Sequence, residues 1–258
     1  MAQDLAGRVA LVTGAGAGIG RATARLLAAR GATVGVNDLK QELVDDAVAG
    51  IVAEGGNAFP VVQNVATREG IGAAVRQAAE HGSRLDILVN NAAWVRYQSV
   101  PDIQPDTLER MLDIGFKAVI WGIQAAAEVM DPERGGAIVN VASTAALKSA
   151  PNSIVYSGIK SGVLGVTRAA AAELGARRIR VNAVCPSAVP TEGTHPRARH
   201  APVAQPRLRR QSVTPRKLLD QRGPMTILRL RQRLQVGRAG RIRGHARVQH
   251  GADVGDGG

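Results

Sequence analysis

The chain has 258 residues, 45% of them hydrophobic, with a single cysteine, six aromatics and a formal charge of +12. One cysteine excludes an intramolecular disulfide framework, and no run of eighteen apolar residues is present to form a membrane-spanning helix. The charge first points to an acidic partner such as nucleic acid, but residues 1–191 hold 18 basic and 17 acidic side chains while residues 192–258 hold 15 and 4. The chain therefore reads as a near-neutral globular domain, 1–191, followed by an arginine-rich segment, 192–258, without an aromatic residue. The lone Cys185 fits a reducing compartment. Asp4, Arg8 and an apolar run of only four residues, Val9 to Val12, do not make a secretory leader, so a cytoplasmic location is expected.

In chain order, the first segment alternates β-branched runs with stretches of helical spacing. Strands are predicted at Val9–Thr13, Thr33–Asn37, Ala58–Val62, Ile87–Val89, Ala137–Val141 and Arg180–Val184. Between them, helices are predicted at Ile19–Arg30, Glu42–Glu54, Arg68–Glu80, Thr107–Met130 and Ser153–Leu174. This alternation predicts an α/β fold: a doubly wound, Rossmann-like parallel sheet with helices on both faces. Ligands of such sheets bind beyond the carboxyl ends of the strands, which directs attention to the residues that follow each strand.

The first strand is followed by Thr13-Gly14-Ala15-Gly16-Ala17-Gly18-Ile19-Gly20, which opens a helix. Glycines allow a tight turn and a close backbone approach, and a helix N-terminus offers amides to a pyrophosphate. Asp38, eighteen residues beyond Gly20, ends the second strand. A carboxylate there accepts hydrogen bonds from the adenosine ribose hydroxyls and repels a 2′-phosphate, so the expected cofactor is NAD(H) rather than NADP(H). The alternative is a solvated turn residue. Further along, Ser143 closes the fifth strand, and Tyr156 and Lys160, four apart, share one helix face. A phenol of ordinary pKa near 10 is a poor base at neutral pH. Lowering it by about three units takes roughly 4 kcal/mol, which a neighbouring ammonium and a cationic nicotinamide can supply.

With these residues in place, the sequence from about residue 6 to 191 resembles the short-chain dehydrogenase/reductase family. The matching pieces are the glycine turn at 13–20, Asn90-Asn91-Ala92, Ser143, Tyr156-x-x-x-Lys160, and Arg180-Val181-Asn182-Ala183-Val184-Cys185-Pro186. The resemblance implies an NAD-dependent oxidoreductase acting on a small-molecule secondary alcohol or ketone. Tyr156 would be the acid/base, Ser143 the anchor of the substrate oxygen, and Lys160 the residue that holds the nicotinamide ribose and tunes the tyrosine. It places Gly14, Gly18, Ile19, Gly20, Asp38, Asn64, Val65, Asn91, Tyr156, Lys160, Pro186, Val189 and Thr191 along the cofactor. A substrate pocket walled by Trp94, Val95 and Leu147, and a dimer or tetramer, are implied as well.

Four positions depart from the family pattern. Asn64 stands where members commonly carry an aspartate, and Ala93 and Ser187 replace glycines that could have required positive φ. Gly115 occupies the position of the family's fourth catalytic residue, an asparagine that helps place a proton-relaying water. The resemblance then implies impaired turnover, with a cofactor-binding but catalytically weakened protein as the alternative reading.

Beyond Thr191 the family's lid, last helix and last strand are not recognisable. Low hydrophobicity with high charge predicts disorder for 192–258, with apolar clusters only at Lys217–Leu219 and Met225–Leu230. Three origins fit: a shifted reading frame in a GC-rich gene, a basic tail that binds nucleic acid through phosphates, or a solvated, divergent end. Missing aromatics and zinc-finger spacing weigh against nucleic acid. His195, His200, His245 and His250 are spaced five apart within their pairs and have no acid or cysteine beside them, so no metal site is expected.

Overall fold

The computed structural model describes residues 3–191 and 225–228. The elements run β1 (Val9–Val12), α1 (Gly18–Ala29), β2 (Thr33–Asp38), α2 (Gln41–Ala53), β3 (Asn57–Val62), α3 (Arg68–Gly82) and β4 (Ile87–Asn90), followed by α4 (Pro105–Leu112), α5 (Ala118–Val129), β5 (Gly136–Val141), α6 (Ile154–Leu174), β6 (Ile179–Pro186) and β7 (Met225–Leu228). The strand order is β3-β2-β1-β4-β5-β6-β7. All pairings from β3 to β6 are parallel, with Ala10 opposite Val34 on one side and Ile87 on the other. The chain thus winds outward from β1 to β3, returns to β4 and winds the other way. The switch point lies between β1 and β4, where a crevice opens at the carboxyl edge.

Side-chain alternation along β1 divides the core. Ala10 and Val12 face a cluster with Ala24 and Ala28 of α1 and Val44, Ala47 and Ile51 of α2. Leu11 faces the other cluster, with Ile71 and Val75 of α3, Ile123 of α5 and Val163 of α6. Helices therefore cover both faces, and strands buried on both sides read as continuous apolar runs.

One expectation is corrected. The single helix predicted over Thr107–Met130 is α4 and α5 joined by a π-helical turn at Asp113–Lys117. Gly115 sits in this turn, and a Cβ there would stand 3.2 Å from Ile159 Cγ2, so α6 packs close to bare backbone. The wide turn also lays Phe116 against Gly162, where a Cβ would meet Phe116 Cε2 at 2.8 Å. Periodicity alone does not register one inserted residue. Within the segment predicted to be disordered, Met225–Leu228 form β7 and pair antiparallel with β6, Pro186 opposite Met225. A pairing partner on the otherwise open β6 edge satisfies its backbone groups. The remainder of 192–258, including Lys217–Leu219 and the four histidines, lies outside the described residues.

At the opposite, amino edge of the sheet, Asp86 is 5% exposed. Its carboxylate accepts from Val9 N (2.9 Å), Arg8 Nη1 (2.9 Å) and Arg84 Nη2. Burial pushes this carboxyl up, but the Val9 amide and the two guanidinium groups outweigh it and hold it below its ordinary value. A depressed pKa stabilises the fold above the unfolded value of 3.8, and the contribution is lost as pH falls through the folded value. Asp86→Asn is expected to cost about 2–3 kcal/mol in urea denaturation at neutral pH, with the gap to wild type closing in acid. An unchanged midpoint at neutral pH would refute this.

Candidate active site

The carboxyl ends of β1, β2 and β4 build a cradle. Thr13 is its knot: its hydroxyl accepts from Asn91 N and Ala92 N, both at 3.0 Å, so the loop after β4 is stitched to the end of β1. Asn91 Nδ2 donates to Thr13 O (2.8 Å) and Gly14 O (3.0 Å). Gly14 has φ +61°, and a Cβ on it would lie 2.8 Å from Ala92 Cα. At Gly20 the Cβ would come within 2.3 Å of Gly14 O, which leaves no room for a side chain. The turn then enters α1, whose N-cap residue Ala17 offers no side-chain hydrogen bond and whose first turn holds no acid. This twelve-residue helix, entered through glycines and without an acid in its first turn, fits a pyrophosphate.

Asp38 leans over this turn. Its Oδ2 accepts from Gly16 N at 3.2 Å and its Oδ1 from Leu39 N at 2.8 Å. A Cβ on Gly16 would lie 2.9 Å from that Oδ2, so carboxylate and turn are in contact. Beyond β3, Asn64 is exposed and folds back to accept from Ala66 N at 3.1 Å, while Val65 is buried against the core. Across the cradle, Thr191 Cβ lies 3.4 Å from where a Cβ of Gly18 would be. The structure thus brings Gly14, Gly18, Gly20, Asp38, Asn91 and Thr191 around one crevice. Pro186 ends β6 and is buried, Val189 follows it half-buried, and Ile19 is half-buried in the first turn of α1. Ala93 and Ser187 are not among the residues with positive φ, so the chain takes turns there that a side chain tolerates.

The second group stands at the ends of β5 and α6. Ser143 caps a short 3-10 turn, its Oγ accepting from Ala145 N at 3.1 Å, and its hydroxyl is near enough to Tyr156 to favour the phenol's ionised form. Lys160 lies one turn along α6, its Nζ 5.8 Å from the Tyr156 ring centre. Lys160 is 3% exposed and donates to Val141 O at 2.7 Å. Burial pulls its ammonium down to about 8. Burial pushes the Tyr156 phenol up, the Ser143 hydrogen bond draws it partly back, and Tyr97 adds to the rise. Cys185, 1% exposed, packs behind this group in the core.

Sequence reasoning missed Tyr97. Its ring meets Tyr156 edge-on at 5.9 Å and 74°, and it is 61% exposed. Gln98 N donates to Asn152 O (3.0 Å), which ties this loop to the start of α6. Nearby, the Arg110 guanidinium lies 4.3 Å above Trp94. Val95 and Leu147 are exposed large apolar residues of the same two loops. The available signal was rarity: three of six aromatics, Trp94, Tyr97 and Tyr156, fall in these loops and the helix they flank. A separate surface cleft of about 470 Å³, lined by Val100, Asn152, Ile154, Ser157 and Ser161, does not include Ser143, Tyr156 or Lys160.

Fold and crevice together define a Rossmann-type nucleotide-binding oxidoreductase. The profile of the short chain dehydrogenase family matches residues 8–201. The chain is 37% identical to a 3-oxoacyl-[acyl-carrier-protein] reductase of Synechocystis, covering 74% of this chain and 77% of that one. It is equally 37% identical to a cyclohexanol dehydrogenase of Acinetobacter, covering 74% and 76%. A solved short chain dehydrogenase of Burkholderia cenocepacia, in complex with NADP, superposes with a TM-score of 0.71 at 36% identity over 76% of this chain and 80% of that one. The protein belongs to the short-chain dehydrogenase/reductase family. Among the described residues, no helix is long and apolar enough to cross a membrane.

Proposed function

We propose that this protein transfers hydride between NAD(H) and a secondary alcohol or ketone, with residues 1–191 carrying both the cofactor crevice and the catalytic group. The observation that carries the reading is the Tyr156 phenol near Ser143, with Lys160 one turn away and its Nζ 5.8 Å from the ring centre, at the carboxyl edge of the sheet. When bound, NAD supplies the hydride acceptor and a positive ring beside the phenol. Gly14, Gly18, Ile19 and Gly20 would hold the pyrophosphate, Asn64 and Val65 the adenine side, and Pro186, Val189 and Thr191 the nicotinamide side. Asn91 shapes the cradle by holding the carbonyls of the turn.

In the oxidation direction, Ser143 Oγ holds the substrate oxygen while Tyr156 Oη removes its proton. In the reduction direction the same phenol donates that proton. A phenol raised by burial is already suited to donate; in the oxidation direction its ionised form is the base, and a Lys160 ammonium 5.8 Å from the ring centre would favour that form together with the cationic nicotinamide. Tyr97 stands edge-on to the phenol, and Val95 and Leu147 are exposed apolar residues of the loops after β4 and β5, a composition that favours a hydrocarbon-bearing alcohol or ketone. Asp38 supports NAD over NADP: its carboxylate is fixed by Gly16 and Leu39 amides where a ribose 2′-phosphate would meet it. The test pairs NADH and NADPH binding, read by nicotinamide fluorescence, with turnover on a panel of small alcohols and ketones. Binding of neither nucleotide would end the proposal.

Gly115 favours a second reading, a cofactor-binding protein with weakened catalysis. A glycine offers no side-chain amide to help place a relay water, and only its main-chain groups remain for that task. Gly115→Asn is expected to raise kcat by about tenfold, part of the ~10²–10⁴ that positioned proton transfer contributes. Ile159 Cγ2, 3.2 Å from the added Cβ, must yield by a few tenths of an ångström. A slower variant with NADH binding retained would count against the impairment.

A further inference from the structure

Three buried polar side chains beneath the catalytic group take no part in the reaction above. Asn90 ends β4, Asn140 lies opposite it in β5, and Thr167 faces them from α6. They are 5%, 0% and 3% exposed. Asn90 Nδ2 donates to Asn140 Oδ1 at 2.9 Å, and Asn140 Nδ2 donates to Thr167 Oγ1 at 3.0 Å. The Thr167 hydroxyl donates in turn to Val163 O at 2.7 Å. Each donor in this chain has an acceptor, and the surrounding cluster is apolar.

An apolar trio of similar volume would fill this space without the desolvation that amides incur. What hydrogen bonds add is direction. Helix α6 buries Val163, Leu164 and Leu174 in the core, but apolar contact is non-directional and opposes sliding along the sheet less sharply than a hydrogen bond does. The Asn140–Thr167 bond opposes such sliding. Thr167 lies seven residues beyond Lys160 on the same face, about 10 Å along the helix. Lys160 itself donates to the carbonyl of Val141, the residue after Asn140. The two bonds thus join β5 and α6, the elements that must bring Ser143 and Tyr156 together. Gly122 of α5 closes the chain from the other end, where a Cβ would come within 2.5 Å of Asn90 Oδ1.

We propose that Asn140 and Thr167 are positioning residues. Their hydrogen bond, braced by Asn90, sets where α6 stands along the sheet and thereby holds the Tyr156 phenol against Ser143 and near Lys160. The inference rests on the reading of Tyr156 and Lys160 given above. A misplacement of about 1 Å suffices to cost ~10² in rate. Three groups face the phenol: Ser143 from the end of β5, Lys160 from α6 and Tyr97 from the loop after β4, with Cys185 of β6 behind Lys160.

The chain has two tyrosines, so in a Tyr97→Phe background phenolate absorbance reports Tyr156 alone. In that background Thr167→Val, which keeps the volume and removes the hydroxyl, is expected to move the titration of Tyr156 upward by about half a unit or more. Thr167→Ser, which keeps the hydroxyl, is expected to restore it. Gly122→Ala, pressing on Asn90, should move it the same way and serves if Thr167→Val does not fold. Asp86→Asn, destabilised at the far edge of the sheet, should leave it in place. A titration unmoved by Thr167→Val and Gly122→Ala, whatever their stability, overturns the inference. A titration that moves in a protein without turnover on any alcohol or ketone leaves the positioning role standing and removes the proposed reaction.

Discussion

Tyr156→Phe is expected to lower kcat for alcohol oxidation by about 10²–10⁴-fold, the range lost with a positioned general acid–base. NADH affinity should stay within about threefold, since the substitution removes one hydroxyl from a helix that otherwise keeps its packing. The separation follows from where the groups sit. The phenol stands near Ser143, at the end of β5, whereas the proposed pyrophosphate cradle is built at the end of β1 by Gly14, Gly20 and Asn91. Steady-state rates, with NADH binding by fluorescence as the companion measurement, check both halves. A variant that keeps more than about a third of wild-type turnover would remove Tyr156 from the proton transfer.

The second large effect concerns the adenosine ribose. Asp38→Ser is expected to shift the ratio of kcat/KM for NADP over NAD upward by about 10²-fold or more. Part of the shift is the loss of charge-assisted hydrogen bonds to the ribose hydroxyls, about 1.5–3 kcal/mol. Part is relief of repulsion between carboxylate and phosphate, of similar size near a protein surface. Asp38 does not drift away from the site, because the Gly16 and Leu39 amides hold its oxygens. A ratio unchanged by the substitution would mean that the ribose does not lie against Asp38.

Local patterns in the sequence carried the fold and much of the site. Continuous apolar runs such as Val9–Val12 mark strands buried on both faces, the glycines at 14, 16 and 20 mark a turn without room for side chains, and Gly18 takes a positive φ. The four-residue step from Tyr156 to Lys160 is likewise a local signal, since one helix face fixes it. Features that depend on distant pairing left no such trace. The bond between Asn90 and Asn140 spans fifty positions, and the one between Asn140 and Thr167 spans twenty-seven. Each asparagine alone reads as an ordinary strand-end residue. The π-helical turn at Asp113–Lys117 escapes periodicity because a single inserted residue barely disturbs the apolar spacing on either side. Tyr97 lies in an irregular loop where spacing has no meaning, and its contact with Tyr156 depends on how two loops are tied by Gln98 and Asn152. The partitioned charge was legible too: the near-neutral part carries β1 to β6 and α1 to α6, and the basic excess falls beyond Thr191.

The central claim is that this crevice moves a hydride from a secondary alcohol to NAD with Tyr156 taking the proton. Cyclohexanol carrying deuterium on its carbinol carbon, incubated with the protein and NAD, tests it directly by mass analysis of the nicotinamide. The account predicts deuterium on the reduced nicotinamide with wild type, little with NADP in place of NAD, and almost none with Tyr156→Phe. Nicotinamide free of deuterium across cyclohexanol and a panel of other secondary alcohols, in a protein that binds NADH, would contradict it.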